Sequence, residues 1–326
     1  MTEPEEKELI NQDRDETAGQ SAEAPRCPVC CSDDFTRCFR QYERDFDRCT
    51  SCGFVKMSSP PDLEEHYRKD RNHGELIYQE HDKFLKIFDS ILAKIETEIP
   101  PGRFLDVGCS YGNSLVAARD RNWQVTGIEL SKPAAEYGIK EHGLDIRTVH
   151  LHEADLEPGS FDAVLMHHTL EHLPYPDVVM QQVHDLLRPG GIHFQALPNY
   201  GALKRRILGA HWSYGITPDH LAYFTPRTLR RMLERLGFEY LQCSTPSIRE
   251  DPRFLADWMR KLNRTERFMA KRGKPGQAFN TQEYLEYLGE SRWARWLCTR
   301  AWPSRLVRWL GLGEEIYMMT RKPTEA

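Results

Sequence analysis

Apolar and polar positions change period several times along the chain, and the changes divide it into elements. In YQEHDKFLKIFDSILAKIETEI, residues Phe84, Ile87, Phe88, Ile91, Leu92 and Ile95 recur at helical spacing, which predicts an amphipathic helix. From Arg103 onward, short apolar runs alternate with helical text. RFLDV, QVTGIEL, DIRTV, FDAVLMH, GGIHFQAL and EYLQCST read as strands. NSLVAARDRN, KPAAEYGIKEHG, YPDVVMQQVHDLLR and TPRTLRRMLERLGF read as the helices between them. A last strand, EEIYMMTRKP at 314–323, follows a charged, tryptophan-rich stretch. This alternation predicts an α/β fold with a doubly wound, mostly parallel sheet of seven strands and helices on both faces.

The same pattern gives a domain plan: an acidic tail over 1–25, a cysteine-rich segment over 26–58 and a helical lead-in over 59–100. An α/β core over 101–245, a helical insertion or lid over 246–313 and the last strand and tail over 314–326 complete it. At 326 residues the chain is long enough for a sizeable core. The tail, MTEPEEKELINQDRDETAGQSAEAP, is acidic, reads as disordered and lacks the apolar stretch of a signal peptide. No apolar run approaches the roughly 18 residues of a membrane span. A cytoplasmic location is the expectation. The net charge of −5 gives no general reason to expect a nucleic-acid partner.

Nine cysteines in a chain without an export signal read as thiols and metal ligands rather than disulfides. CPVC and CTSC supply Cys27, Cys30, Cys49 and Cys52 with 18 residues between the pairs, a zinc-ribbon spacing. Four thiolates close a tetrahedral shell, which makes the site structural. Iron of the rubredoxin type takes the same ligands, and spacing does not separate the two. Cys31 and Cys38 are spare thiols. So short a segment lacks a core of its own, and metal binding is expected to fold it.

The glycine turn in RFLDVGCSYGNSL lies where an open parallel sheet holds its ligand, at the carboxyl end of a strand. Gly108 and Gly112 are four residues apart with Ser110 between them, so the dinucleotide fingerprint is absent. Asp106, just before the turn, repels a pyrophosphate and suits a cationic ligand. Glu129 ends the next strand, 23 residues after Asp106, where a carboxylate accepts hydrogen bonds from ribose hydroxyls. A nucleoside with a positive tail fits both carboxylates, and S-adenosylmethionine is such a molecule.

LDVGCSYGNSL, VTGIELS, ADLEPGSFDAVLMHHTLEHLPYP and LLRPGGIHFQALPN resemble, in order, the motifs of the class I S-adenosylmethionine-dependent methyltransferases. The likeness spans roughly residues 80–245 plus the last strand and implies a Rossmann-like methyltransferase fold. It also implies that Asp106, Gly108, Cys109, Ser110 and Gly112 cradle the methionine end of the donor. Glu129 and Leu130 would hold the ribose, Asp155 and Leu156 the adenine, with His167 and His168 beside the methionine moiety. The family pattern carries glycine where this chain has Ser110.

Methyl transfer to oxygen needs the acceptor proton removed, usually by histidine. PDHLAYF resembles a P-x-H-x-x-x-F segment near the acceptor pocket of related enzymes. His220 is therefore the first candidate for the base or acceptor-orienting group, and His172 the second. A buried histidine satisfied by loop carbonyls is the structural alternative for His220. Asn199, Tyr200, His211, Trp212, Tyr214, Asp219 and Tyr223 share its loop. HTLEH at 168–172 matches the inverted zinc-protease signature, but it follows a strand directly, with little helix to carry it, and reads as a coincidence.

The expected activity is O-methylation of a small-molecule or saccharide acceptor, with carbon or nitrogen methylation open. Residues 291–311 mix four tryptophans with five arginines and suit either peripheral membrane contact or packing on the core. A ribbon-guided RNA methyltransferase is the competing class. The near-balance of arginines and aspartates over 26–58 gives it a weak electrostatic footprint.

Overall fold

The computed structural model describes residues 26–61, 81–212, 214–246, 269–270 and 304–324. The acidic tail, part of the helical lead-in and most of the 246–313 insertion lie outside them, as do residues 291–303 of the tryptophan–arginine stretch. Among the described residues, no helix is long and apolar enough to cross a membrane.

The amino-terminal part forms a hairpin and a short third strand, β1 (Phe35–Gln41), β2 (Arg44–Cys49) and β3 (Val55–Met57). Helix α1 (His81–Ile95) follows and buries Phe88, Ile91, Leu92 and Ile95, four of the six residues in its apolar pattern. Burial of each such side chain is worth about 1.5–3 kcal/mol. The core then alternates through β4 (Arg103–Val107), α2 (Asn113–Asp120), β5 (Gln124–Ile128), α3 (Lys132–His142) and β6 (Ile146–Arg147). It continues through β7 (Phe161–His167), α4 (Pro176–Leu186), β8 (Leu187–Pro198), α5 (Leu203–Leu208), β9 (Ala222–Tyr223), α6 (Pro226–Arg235) and β10 (Glu239–Ser244). Helix α7 (Ser304–Trp309) and β11 (Glu315–Arg321) close the described chain.

Seven of these strands form one sheet in the order β10-β11-β8-β7-β4-β5-β6. The run from β8 to β6 is parallel, and β11 is antiparallel to both β8 and β10. Neighbouring strand residues serve opposite faces. Leu105, Val164 and Met166 pack on one side with α4 and α6, while Phe104, Ala163 and Leu165 pack on the other with α1 and α2. The strand order reverses between β4 and β7, so the glycine turn after β4 and the HTLEH segment after β7 emerge side by side at the switch point.

The LLRPGG segment behaves differently from a simple turn. Pairing of β8 begins at Leu187, and a register shift opposite Phe161–Ala163 absorbs the glycines, with Gly190 at φ +77°.

The ribbon strands also do more than close on themselves. Their sheet runs β1-β2-β3-β9, pairing Val55 with Tyr223 and Lys56 with Ala222. The cysteine knuckles enter the main core: Cys27, Val29, Cys49 and Phe54 pack with Phe224, Leu229 and Met232. The cysteine-rich segment therefore shares both sheet and core with the loop that carries His220.

Candidate functional site

The donor side is built on the turn after β4. Gly108 lies at φ +82° and Gly112 at φ +81°, and Ser110 between them takes φ +50°. Serine therefore accepts the left-handed backbone that glycine adopts more easily. The amides of Gly108 and Cys109 donate to Ile128 O at 2.8 and 3.0 Å, which clamps the turn to the end of β5. A side chain at Gly108 would collide with Thr169 of the HTLEH segment. The side chain of Cys109 turns into the core beside Gly127 and Leu115, so this residue offers the cleft only its backbone.

Asp106 is buried beneath this turn and accepts a hydrogen bond from Ser114. Its second oxygen, Oδ1, has no partner among the described residues. Burial pushes the carboxyl up to about 7, Ser114 opposes the shift and nearby Glu129 adds to it. A desolvated acid with an open oxygen fits a cationic ligand group, which would restore the ionised form. Glu129 accepts the amides of Ser110 at 2.8 Å and Ser131 at 2.7 Å. The carboxylate thereby ties the glycine turn to the end of β5, with Leu130 half-buried beside it.

The third strand end joins them. Glu129 N donates to Arg147 O at 3.1 Å, and the Arg147 guanidinium bonds the carbonyls of Ala154 and Asp155. Asp155 is exposed at φ +47°, and Leu156 packs partly against the core. Arg147 thus links the end of β5 to the Ala154–Asp155 backbone beyond β6.

On the other side of the turn lies a buried polar cluster. Thr169 Oγ1 donates to Val107 O at 3.0 Å, fixing HTLEH against the glycine turn. His168, at φ +54°, reaches Glu171 through Nδ1 at 3.1 Å and Glu315 of β11 through Nε2 at 3.4 Å. Burial alone would lower His168, but the two carboxylates outweigh it and raise the imidazole to about 10. Burial likewise pulls Glu171 and Glu315 up, and bonding to His168 holds each down at about 2. Tyr214 donates to Glu315 at 2.6 Å. Burial and the His168 charge push neighbouring His167 down to about 3.

His172 and His220 meet at the rim of this cluster, their ring centroids 4.7 Å apart. Each bonds a loop carbonyl through Nδ1, His172 to Asp219 O at 3.0 Å and His220 to Gly215 O at 2.9 Å. Those contacts make Nδ1 the donor and leave the lone pair of each neutral ring on Nε2. The carbonyl contact expected of a structural histidine is present at His220 Nδ1. Burial holds His172 below the ordinary histidine value. The amide of Leu221 bonds Glu171 O at 2.7 Å, and Leu221 O accepts from Met57 of β3. The ribbon thereby holds the loop in place.

Trp212 is buried, and Asn199 bonds Gly311 O and Gly313 O at 3.1 and 2.7 Å. Tyr200 and Tyr223 stack edge-on in the ribbon-side core, and His211 is exposed. The HTLEH segment is a single 3-10 turn over Leu170–His172, so the helix of a zinc protease is absent here. Tyr214 belongs to the loop marked in the sequence, whereas Glu171 stands out there only as part of the HTLEH motif and Glu315 gives no local signal at all.

The cysteine cluster fits a tetrahedral ion. The Sγ atoms of Cys27, Cys30, Cys49 and Cys52 lie within 4.8 Å of one another, with Cys27–Cys52 and Cys30–Cys49 both at 3.5 Å. Four sulfurs at about 2.3 Å from zinc stand nearly that far apart. Gly53, at φ +83°, makes the second knuckle turn. Cys31 and Cys38 are exposed and stand outside the cluster.

The family described as a methyltransferase domain matches residues 78–243. The ubiquinone biosynthesis O-methyltransferase of Chromobacterium violaceum is 33% identical over 147 residues, covering 41% of this chain and 63% of the relative. That of Aeromonas salmonicida is 31% identical over 147 residues, covering 41% and 62%. The chain thus spans less than two thirds of the length of these relatives. Among solved structures, a chain of the complex between the Haloferax volcanii Trm112 methyltransferase activator and its methyltransferase is similar, with a TM-score of 0.52 and 13% identity over 82% of this chain and 99% of that one. Haemonchus contortus phosphoethanolamine N-methyltransferase 2, in complex with S-adenosyl-L-methionine, has a TM-score of 0.51 and 16% identity over 82% and 62%. These two likenesses concern the fold. With half of its length matched by the family, and the sheet order and glycine turn in place, the chain belongs to the class I S-adenosylmethionine-dependent methyltransferases.

Proposed function

We propose that this methyltransferase methylates a hydroxyl of a small-molecule acceptor, a saccharide being one class of candidate, and that its acceptor faces His172 and His220. Asp106, Gly108, Ser110 and Gly112 hold the methionine end of the donor, Glu129 the ribose, and Asp155 the adenine edge. When bound, S-adenosylmethionine supplies a sulfonium-activated methyl group: the acceptor O–H and donor S–CH3 bonds break, the O–CH3 bond forms, and a proton leaves with S-adenosylhomocysteine. The chain contributes position and electrostatics. The desolvated Asp106 favours the cationic end of the donor, and the imidazole Nε2 atoms at the rim activate the hydroxyl. Zinc, held by Cys27, Cys30, Cys49 and Cys52, folds the ribbon and through β9 fixes the His220 loop.

The observation that carries this reading is the contact of Thr169 with the glycine turn. Thr169 lies three residues before His172, so this contact supports a donor cleft and a histidine pair that serve one reaction. The O-methyltransferase names of the two relatives support oxygen as the acceptor atom. Ribbon arginines are engaged by neighbouring acids, Arg37 with Asp45 and Asp47 and Arg26 with Asp33, which weighs against a nucleic-acid surface there.

Incubation with methyl-labelled donor and a panel of phenols, catechols, saccharides and amines tests the proposal. Label is expected in an ether product, and His220→Ala should lower kcat by roughly 10²–10⁴-fold. Label only in amines or at carbon, or unchanged turnover in His220→Ala, would overturn it.

A further inference from the structure

Two of the HTLEH residues that fail to make a protease do converge with a third from the acceptor loop. A carboxylate oxygen of Glu171 and one ring nitrogen each of His172 and His220 lie within 4.8 Å of one another. Glu171 is 1% exposed. One of its oxygens is taken by His168, while Oε2 is buried with no hydrogen-bond partner among the described residues. A buried carboxylate oxygen without a partner is costly unless a ligand answers it.

The histidines are oriented as ligands are. A metal-bound histidine donates its second ring N–H to a carbonyl or carboxylate, which fixes the tautomer and aims the other nitrogen. Both rings do this, through Asp219 O and Gly215 O, with Asp219 Oδ2 also 3.5 Å from His172 Nδ1. His168 plays the corresponding part for Glu171, binding Oε1 and leaving Oε2 open. Two imidazoles and one carboxylate make a three-ligand set with open positions, as in catalytic rather than structural sites.

We propose that Glu171, His172 and His220 form a second metal site, separate from the cysteine cluster, that takes a divalent first-row transition ion such as Mn²⁺, Fe²⁺ or Zn²⁺. The inference deepens the proposed function and rests on that reading for its role. An ion held by the two Nε2 atoms leaves positions for the acceptor's oxygens. It lowers the pKa of a bound hydroxyl, whose proton passes to solvent, so His172 and His220 act through the ion and not by taking the proton themselves. Two adjacent hydroxyls would fill two open positions, which points to catechol-like or vicinal-diol acceptors.

The test is metal uptake by the full chain, read independently of turnover. Protein with its ribbon loaded with one equivalent of zinc is titrated with Mn²⁺, and free Mn²⁺ is followed by electron paramagnetic resonance. Soft thiolates keep zinc, so Mn²⁺ reports the histidine–carboxylate site. One further equivalent is expected to bind. Glu171→Gln and His172→Gln should each weaken uptake at least tenfold while retaining the ribbon zinc and the wild-type circular dichroism. The second variant guards against one that fails to fold. No uptake of Mn²⁺ or of a second zinc by the wild type overturns the site, as does full uptake by both folded variants. Donor binding, measured on the same samples by calorimetry, separates this outcome from failure of the methyltransferase reading, which would abolish it.

Discussion

Lowering the pH should release the donor, and Asp106 sets the size of the effect. Burial places its carboxyl at about 7. About three quarters of it is then ionised at pH 7.5 and about one hundredth at pH 5. If the donor's cationic group requires the ionised form, binding weakens by roughly 80-fold across that range, about one decade per pH unit below 7. The free protein carries the opposite dependence. A carboxyl raised above its ordinary 3.8 favours folding most below that value, and the benefit is lost as pH rises through about 7. A shift of about three units corresponds to something on the order of 4 kcal/mol. Asp106→Asn should therefore stabilise the unliganded protein at pH 8 by up to that amount, while weakening donor binding and flattening its pH profile. Calorimetric titration with S-adenosylmethionine between pH 5 and 7.5, beside urea unfolding of both proteins, measures each quantity. Wild-type affinity independent of pH, or an equally steep slope in Asp106→Asn, would refute the reasoning.

Other consequences follow from burial and geometry. Replacing Cys27 or Cys49 by serine alters a proposed zinc ligand that is also buried in the main core; a loss on the order of 4–5 kcal/mol should appear as a lower Tm with loss of zinc by elemental analysis. Gly108→Ala forces a side chain onto a left-handed backbone and against Thr169. It should cost about 1–3 kcal/mol and donor affinity with it, both read by calorimetry. The His168–Glu171–Glu315 cluster contributes stability that is complete below the ordinary histidine value of 6.5 and lost as pH rises through about 10. Its glutamates contribute above 4.5 and lose the contribution as pH falls through about 2. Urea midpoints of wild type and His168→Gln should therefore differ most between about pH 4.5 and 6.5 and converge at alkaline pH.

Much of the core was legible because period and turn chemistry are local properties. RFLDV and FDAVLMH are strands over the very residues their patterns mark, and the four cysteines cluster as their spacing requires. Pairings between distant segments were not legible. That β3 takes Ala222–Tyr223 as its neighbour depends on two short segments with no pattern linking them. Glu171 shows the same limit. Its oxygen is significant because it is buried and open, and His168 reaches Glu315 only because β11 enters the sheet beside β8. The RPGG sequence reads as a turn, yet the strand passes through it, because the sheet tolerates a bulge at that edge of the pairing.

The central claim is that one cleft at the switch point holds the donor between the glycine turn and the histidine rim. A crystal structure with S-adenosylhomocysteine tests it most directly. The homocysteine end should lie on Gly108–Gly112 above Asp106, the ribose hydroxyls on Glu129, and the sulfur should face the side of His172 and His220. An adenosyl group bound elsewhere, or a sulfur turned away from that rim, would contradict the account.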